Sequence, residues 1–367
     1  MRVIPTRHYL IHTDLDDNLA TDLAQRMDAM YDQYAQRLST FGPIDNSQPL
    51  EAFIFRRQAE YIHLAGITAK ATSGIFLPQH QIIATYLQYQ GRDAIRRVLQ
   101  HEAFHQFADR VISHHLPTWL NEGLAQVFEE GIWTGHEFLL GQVPPYRLRQ
   151  LNSDIASPGL MDFRTILQIQ PQQWASHWDY APAAALEYNQ AWAMTHFLIF
   201  ATDDSGQPRY RSRLIRMLQF LHDGMDADQA FRWSFSDNYQ GFRDRFMEYV
   251  QTLRPTPLAQ AIEDQGVLAD IEVALTNRGV AFDSLDDLHS LCVDHRFQMR
   301  YRRGNITWES DSDPDAYFAA PNLHFEPSET GPIPDLVSSA QDGLELRTRF
   351  YQSDSGIEHE TIVEDGQ

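Results

Sequence analysis

The sequence predicts an α+β protein, with a small N-terminal mixed sheet and helices, then a mainly helical stretch, then a small acidic C-terminal α/β module. Three observations point there. Apolar residues alternate or run in short blocks before residue 90. They recur at helical spacing from about residue 92 to residue 253, and acidic residues dominate after residue 256. A chain of 367 residues exceeds one average domain, so a division into residues 1–255 and 256–367 is expected.

Residues 8–13 (His-Tyr-Leu-Ile-His-Thr) read as a strand. Asp14 to Asp17 supply helix-start residues, and Leu19, Leu23, Met27, Met30, Tyr31 and Tyr34 then share one helical face. Strands are expected over 52–55, 73–78 and 82–87, the last two separated by Pro78-Gln-His-Gln81. Residues 1–90 thus form a sheet-containing subdomain, and residues 91–255 a mainly helical one. Helices are expected over 93–112 and 118–130. The stretch 141–178, rich in Pro, Gln and Trp, reads as irregular. Further helices are expected over 186–200, 211–223, 226–235 and 241–253. Arg254-Pro-Thr-Pro257 ends the run, because closely spaced prolines do not continue a helix. Beyond it, 297–301, 305–308, 344–351 and 357–363 read as strands. The Asp-, Ser- and Pro-rich stretch 309–342 is expected to be a long loop or disordered.

Composition narrows the function. Hydrophobic residues make up 43% and aromatics 12%, enough for a packed core. The net charge of −21 argues against nucleic acid, whose phosphates need a basic face. Residues 256–367 hold 22 Asp/Glu against 7 Arg. No apolar run approaches the roughly 20 residues of a membrane helix. Cys292 is the only cysteine, so no disulfide forms within the chain and no cysteine-based zinc site is possible. Residues 1–7 lack the apolar core of a signal peptide. The chain as given is therefore expected in the cytoplasm, with export of a longer precursor left open.

The chemistry concentrates in His101-Glu-Ala-Phe-His105. Positions i and i+4 of a helix lie one above the other, so both imidazoles can reach one ion. Glu102, one residue on, flanks that ion, where a general base for a metal-bound water belongs. Ile95, Val98, Leu99, Phe104, Phe107, Ala108 and Val111 supply the apolar face. A catalytic zinc needs a third protein ligand. Ala108 and Val111 stand where a metzincin would carry Gly and His. His114 and His115 lie near the expected helix end and read as surface residues. Glu122, in Trp119-Leu-Asn-Glu-Gly-Leu-Ala125 on the next expected helix, is the third candidate. Short links make consecutive helices antiparallel neighbours.

The motifs His101-Glu-Ala-Phe-His-Gln106 and Pro117-Thr-Trp-Leu-Asn-Glu-Gly-Leu-Ala125 resemble those of gluzincin metallopeptidases of the MA clan. More closely, they resemble an uncharacterised bacterial family of peptidase-like proteins with HExxHQ followed by Pro-x-Trp-Leu-x-Glu-Gly-Leu-Ala. The resemblance covers roughly residues 8–257, taking in Tyr188-Asn-Gln-Ala-Trp192 and Asp228-Gln-Ala-Phe231. It implies a gluzincin-like catalytic domain holding one Zn²⁺ through His101, His105 and Glu122. Glu102 would be the general base in hydrolysis of a peptide or protein substrate. Gluzincins also need a donor for the oxyanion, and Tyr188 is the candidate, with His196 behind it. Many carry an acidic residue one turn after the third ligand. Here that position is Gln126, which with Asn121 is a candidate partner for a metal-bound histidine. Glu129 and Glu130 read as a solvated helix end. The substrate is expected to add as a strand along the edge of the N-terminal sheet, whose nearest strands are Ser73-Gly-Ile-Phe-Leu-Pro78 and Ile82-Ile-Ala-Thr-Tyr-Leu87, and Gly74 would let a second backbone approach.

An alternative stays open: a non-catalytic metal-binding or partner-binding protein on the same fold. Glu102 favours the enzyme, since a binding protein has no need of it. Other signals fail on inspection. Asp311-Ser-Asp-Pro-Asp315 lacks the Gly and Glu of an EF-hand loop. His136-Glu137 has no second histidine in register. Cys292 reads as a buried structural thiol.

Overall fold

The computed structural model describes residues 1–38, 48–113, 116–156, 159–176, 181–329, 331–353 and 356–366. His114 and His115 lie outside them. The chain is α+β and divides into two compact units. The first comprises Met1–Gln90, Ala94–Gly131 and Arg149–Leu253; the second comprises Gly91–Asp93, Ile132–Leu148 and Arg254–Gln367. No described helix is long and apolar enough to cross a membrane.

The first unit is built on a five-stranded sheet. Its strands are β1 (Arg2–Pro5), β2 (Tyr9–Thr13), β3 (Leu50–Phe55), β4 (Gly74–Leu77) and β5 (Ile82–Tyr86), in the order β1-β2-β3-β5-β4. The central strands β2, β3 and β5 run parallel, with Tyr9 opposite Leu50 and Glu51 opposite Ile82. β1 and β4 are antiparallel edges. Helix α1 (Asp17–Arg37) starts where the Asp16 carboxylate accepts the N–H of Leu19. All six residues of its expected apolar face are buried. α2 (Gln58–Ala65) and β1 went unread in the sequence. Both are short and largely exposed, so neither carries a strong periodic signal.

α3 (Arg92–Val111) and α4 (Thr118–Glu129) match their expected bounds within a residue. Tyr34 of α1, Phe104 and Phe107 of α3 and Phe128 of α4 form one aromatic cluster, with ring centroids 4.7–5.6 Å apart. The Tyr34 hydroxyl donates to the carbonyl of Gln100 at 2.7 Å. On the sheet side, the Gln106 amide donates to the carbonyls of Gln81 (2.7 Å) and Glu51 (3.2 Å). One side chain thereby ties α3 to the entry of two parallel strands.

The stretch expected to be irregular is partly helical. Just before it, in the second unit, β6 (Ile132–Trp133) and β7 (Phe138–Leu139) make a short hairpin. α5 (Pro145–Ala156), α6 (Phe163–Gln168) and α7 (Pro171–Ser176) follow. Two of these helices open on proline, whose missing N–H costs nothing in the first turn. α6 opens on Asp162, which caps Arg164 and Thr165. The prolines start helices here rather than break them. α8 (Ala181–Phe200), α9 (Arg211–His222), α10 (Ala227–Ser234) and α11 (Tyr239–Thr252) complete the first unit.

The second unit contains helices the sequence reading did not locate. α12 (Pro257–Asn277) again starts on proline, and α13 (Leu285–His295) starts on Ser284, which caps Asp287. β8 (Arg300–Arg303) and β9 (Ile306–Glu309) pair as a hairpin. The stretch 309–342, expected to be a long loop or disordered, contains a short helix and two strands among its described residues. It holds α14 (Asp315–Phe318), β10 (His324–Glu326) and the buried β11 (Asp335–Ser339). With β12 (Leu344–Ser353) and β13 (Gly356–Asp365), strands β10 and β11 form an antiparallel sheet in sequence order. The Gln265 side chain of α12 donates to the Leu336 carbonyl at 2.8 Å and accepts from Ser338 at 2.6 Å, so α12 is pinned to that sheet.

Candidate metal centre

α3 presents His101 and His105 one turn apart, and α4 brings Glu122 to them. The Nε2 atoms of the two histidines are 3.0 Å apart. Glu122 Oε2 lies 3.3 Å from His101 Nε2 and 3.6 Å from His105 Nε2. Ligands held at about 2.0–2.2 Å in a tetrahedron around zinc stand roughly 3.3 Å from one another. The three distances bracket that value. Two nitrogens and one carboxylate oxygen aimed at a single point are the donor set of a catalytic zinc site. Among the described residues this is the one group of three such side chains able to share an ion.

The close approach of helices depends on Gly123. A Cβ at Gly123 would collide with the Thr195 hydroxyl and lie 2.5 Å from the carbonyl oxygen of Ala191, both on α8. The residue after Glu122 is therefore the contact point between α4 and α8.

Electrostatics follow from burial of these charges together. Burial works against ionisation of Glu122, yet the two imidazoles outweigh it and hold the carboxyl well below the usual carboxylate range. Burial also opposes a charge on His101, but Glu122 and Glu129 raise its pKa well above the ordinary value. Glu102 is shifted the other way. Burial is the largest cause and pushes its carboxyl up, while His101, His105 and the donated N–H of Phe76 partly offset it. Phe76 belongs to β4, the edge strand. Glu102 thus sits between the two histidines and that strand.

Glu129 corrects the sequence reading. Its Oε2 lies 3.0 Å from His101 Nδ1, so it is a ring-orienting carboxylate rather than part of a solvated helix end. Glu130 too is buried, at 6% exposure. Gln126 instead donates to the main-chain carbonyl of Glu122 at 3.2 Å. Two helical turns separate Glu122 from Glu129, which places both on one face of α4. That seven-residue spacing was the available signal. A carboxylate accepting from Nδ1–H leaves the Nε2 lone pair for a metal.

Gly74 has a role other than the one expected of it. A Cβ there would collide with Val98 Cγ1 and come within 3.2 Å of Glu102 Cγ. The glycine lets β4 lie against α3 and leaves room for the Glu102 stem. Tyr188 sits on α8, one turn before Ala191, with its ring edge-on to Trp174 at 5.1 Å. The structure gathers His101, Glu102, His105, Glu122 and Glu129, and puts Tyr188 on the helix that packs against Gly123. His196 is 3% exposed, and its Nδ1 lies 2.6 Å from the Tyr249 hydroxyl. It is enclosed by Trp192 and Phe200, which makes it a structural histidine.

Residues 96–222 match a family described as "Protein of unknown function (DUF1570)". The matched stretch covers less than half of the chain and holds all five gathered side chains and Tyr188. No curated protein and no solved structure matches the chain.

Proposed function

We propose that this protein is a zinc-dependent peptidase of gluzincin type. The observation that carries this reading is the convergence of His101, His105 and Glu122 on one point, with Glu102 beside it. His101, His105 and Glu122 would hold the ion. The chemistry that zinc would supply there is a bound water of pKa toward about 7 and polarisation of a substrate carbonyl. Glu102, whose pKa burial raises, takes the proton of the attacking water and later delivers it to the leaving amine. Glu129 keeps His101 in the tautomer and orientation that present Nε2. Tyr188 is proposed as the donor to the developing oxyanion. The free edge of β4, beside Glu102, is where an extended peptide would pair through main-chain hydrogen bonds, giving affinity with little side-chain selectivity.

The test is digestion of an unbiased peptide library by the full-length protein. Cleavage should appear, vanish with a chelator and return with zinc. A protein that carries zinc yet cleaves nothing would leave a metal-binding role and remove the peptidase.

A further inference from the structure

Gln100 precedes His101, and its side chain reaches the end of α4. It is 6% exposed. Its Nε2 lies 3.0 Å from the carbonyl oxygen of Phe128, 3.2 Å from that of Glu129 and 3.1 Å from that of Gly131. These carbonyls belong to the last turn of α4 and the residues after it, where orphan acceptors collect; that of Phe128 also accepts the Gly131 N–H at 2.9 Å. A carboxamide has two N–H donors, so the three carbonyls share them around one nitrogen. The main chain of Gln100 is held in turn, since its carbonyl accepts from Tyr34.

The consequence lies on the other face of α3. The turn that Gln100 grips is the turn that carries Glu129. Where that turn sits along α3 decides whether the Glu129 carboxylate reaches His101 Nδ1. We infer that Gln100 is a positioning residue for the metal site. It fixes the end of α4 against α3 so that Glu129 can orient His101, and it sets metal affinity without touching the metal. This rests on the reading of His101, His105 and Glu122 as metal ligands. Gln106 offers the internal comparison. It is a buried amide on the same helix, and it ties α3 to β3 and β5 instead of to α4.

The experiment measures zinc affinity of the full-length protein by competition with a chromophoric chelator, alongside melting of the metal-free form. Gln100→Met keeps the volume and removes the donors; Gln100→Asn retracts the amide and serves if the first variant does not fold. Each should weaken zinc binding roughly 10- to 100-fold, as should Glu129→Gln. The double variant should bind no more weakly than the weaker single variant, because Gln100 acts through Glu129. Gln106→Met should lower the melting temperature while zinc affinity stays within about threefold. Wild-type affinity in the Gln100 variants, or losses that multiply in the double variant, would overturn the inference and leave the metal site standing. A wild-type protein that takes up no zinc overturns both.

Discussion

At the scale of single residues, the centre is defined by what each polar atom faces. His101 uses both ring nitrogens, one toward Glu129 and one toward His105 and Glu122. Burial pushes the Glu102 carboxyl above its ordinary pKa, and His101, His105 and the Phe76 N–H offset that only in part, which suits a base. Tyr188 is the least constrained assignment, and Tyr188→Phe tests it by deleting one hydroxyl. If that hydroxyl stabilises the oxyanion, kcat falls roughly 10²- to 10³-fold with zinc content unchanged. A fall of less than about threefold assigns the role elsewhere. The pair His101 and His105 was legible because four-residue spacing on a helix has one geometric meaning, and Glu122 because a short link makes consecutive helices neighbours. Glu129 was not. A pair of glutamates at the end of an apolar helix usually faces water, and only tertiary packing turns Glu129 to His101 and buries Glu130.

At the scale of elements, the relevant unit is α3 between α4 on one side and β4 on the other. Gly74 is the point of closest approach of β4. Gly74→Val adds methyl groups where Val98 and Glu102 already lie, so it should cost about 1–3 kcal/mol of stability. It should also reduce turnover by displacing Glu102. Thermal unfolding and steady-state kinetics read the two effects. Unchanged melting with a raised KM alone would return Gly74 to a role in substrate approach. The sequence pattern located α1, α3, α4 and the central strands, because each has a continuous buried face. Prolines misdirected it at α5, α7 and α12, where they occupy first helical positions. Polar composition hid β11, whose Leu336 and Val337 are 0% and 1% exposed.

At the scale of the whole molecule, the two units carry different kinds of buried charge. The first gathers Glu122 and Glu129 around histidines. The second buries Glu272 in α12 at 0% exposure, with no hydrogen-bond partner for either carboxylate oxygen among the described residues. Burial pushes that carboxyl well above the ordinary 4.5. The folded protein therefore keeps a proton that the unfolded chain releases above pH 4.5, and stability falls as pH rises from there through the folded pKa. Glu272→Met should remove this slope. Its melting temperature should exceed that of wild type, by a margin larger at pH 8 than at pH 5. An equal margin at both pH values would show that Glu272 is not held neutral. The neighbouring Cys292 thiol is pushed up to about 11 by burial and by Glu272, in keeping with a structural cysteine. The grouping of residues 132–148 with the C-terminal segment had no local signal, since it depends on contacts more than a hundred residues apart, such as Val143 with Thr256.

The central claim, that the gathered side chains form a hydrolytic metal centre, is tested most directly by Glu102→Gln. An amide of the same size leaves His101, His105 and Glu122 in place but accepts no proton from water. The account predicts close to one zinc per chain, as in wild type, with peptide hydrolysis lost. Hydrolysis at the wild-type rate in zinc-loaded Glu102→Gln would contradict it.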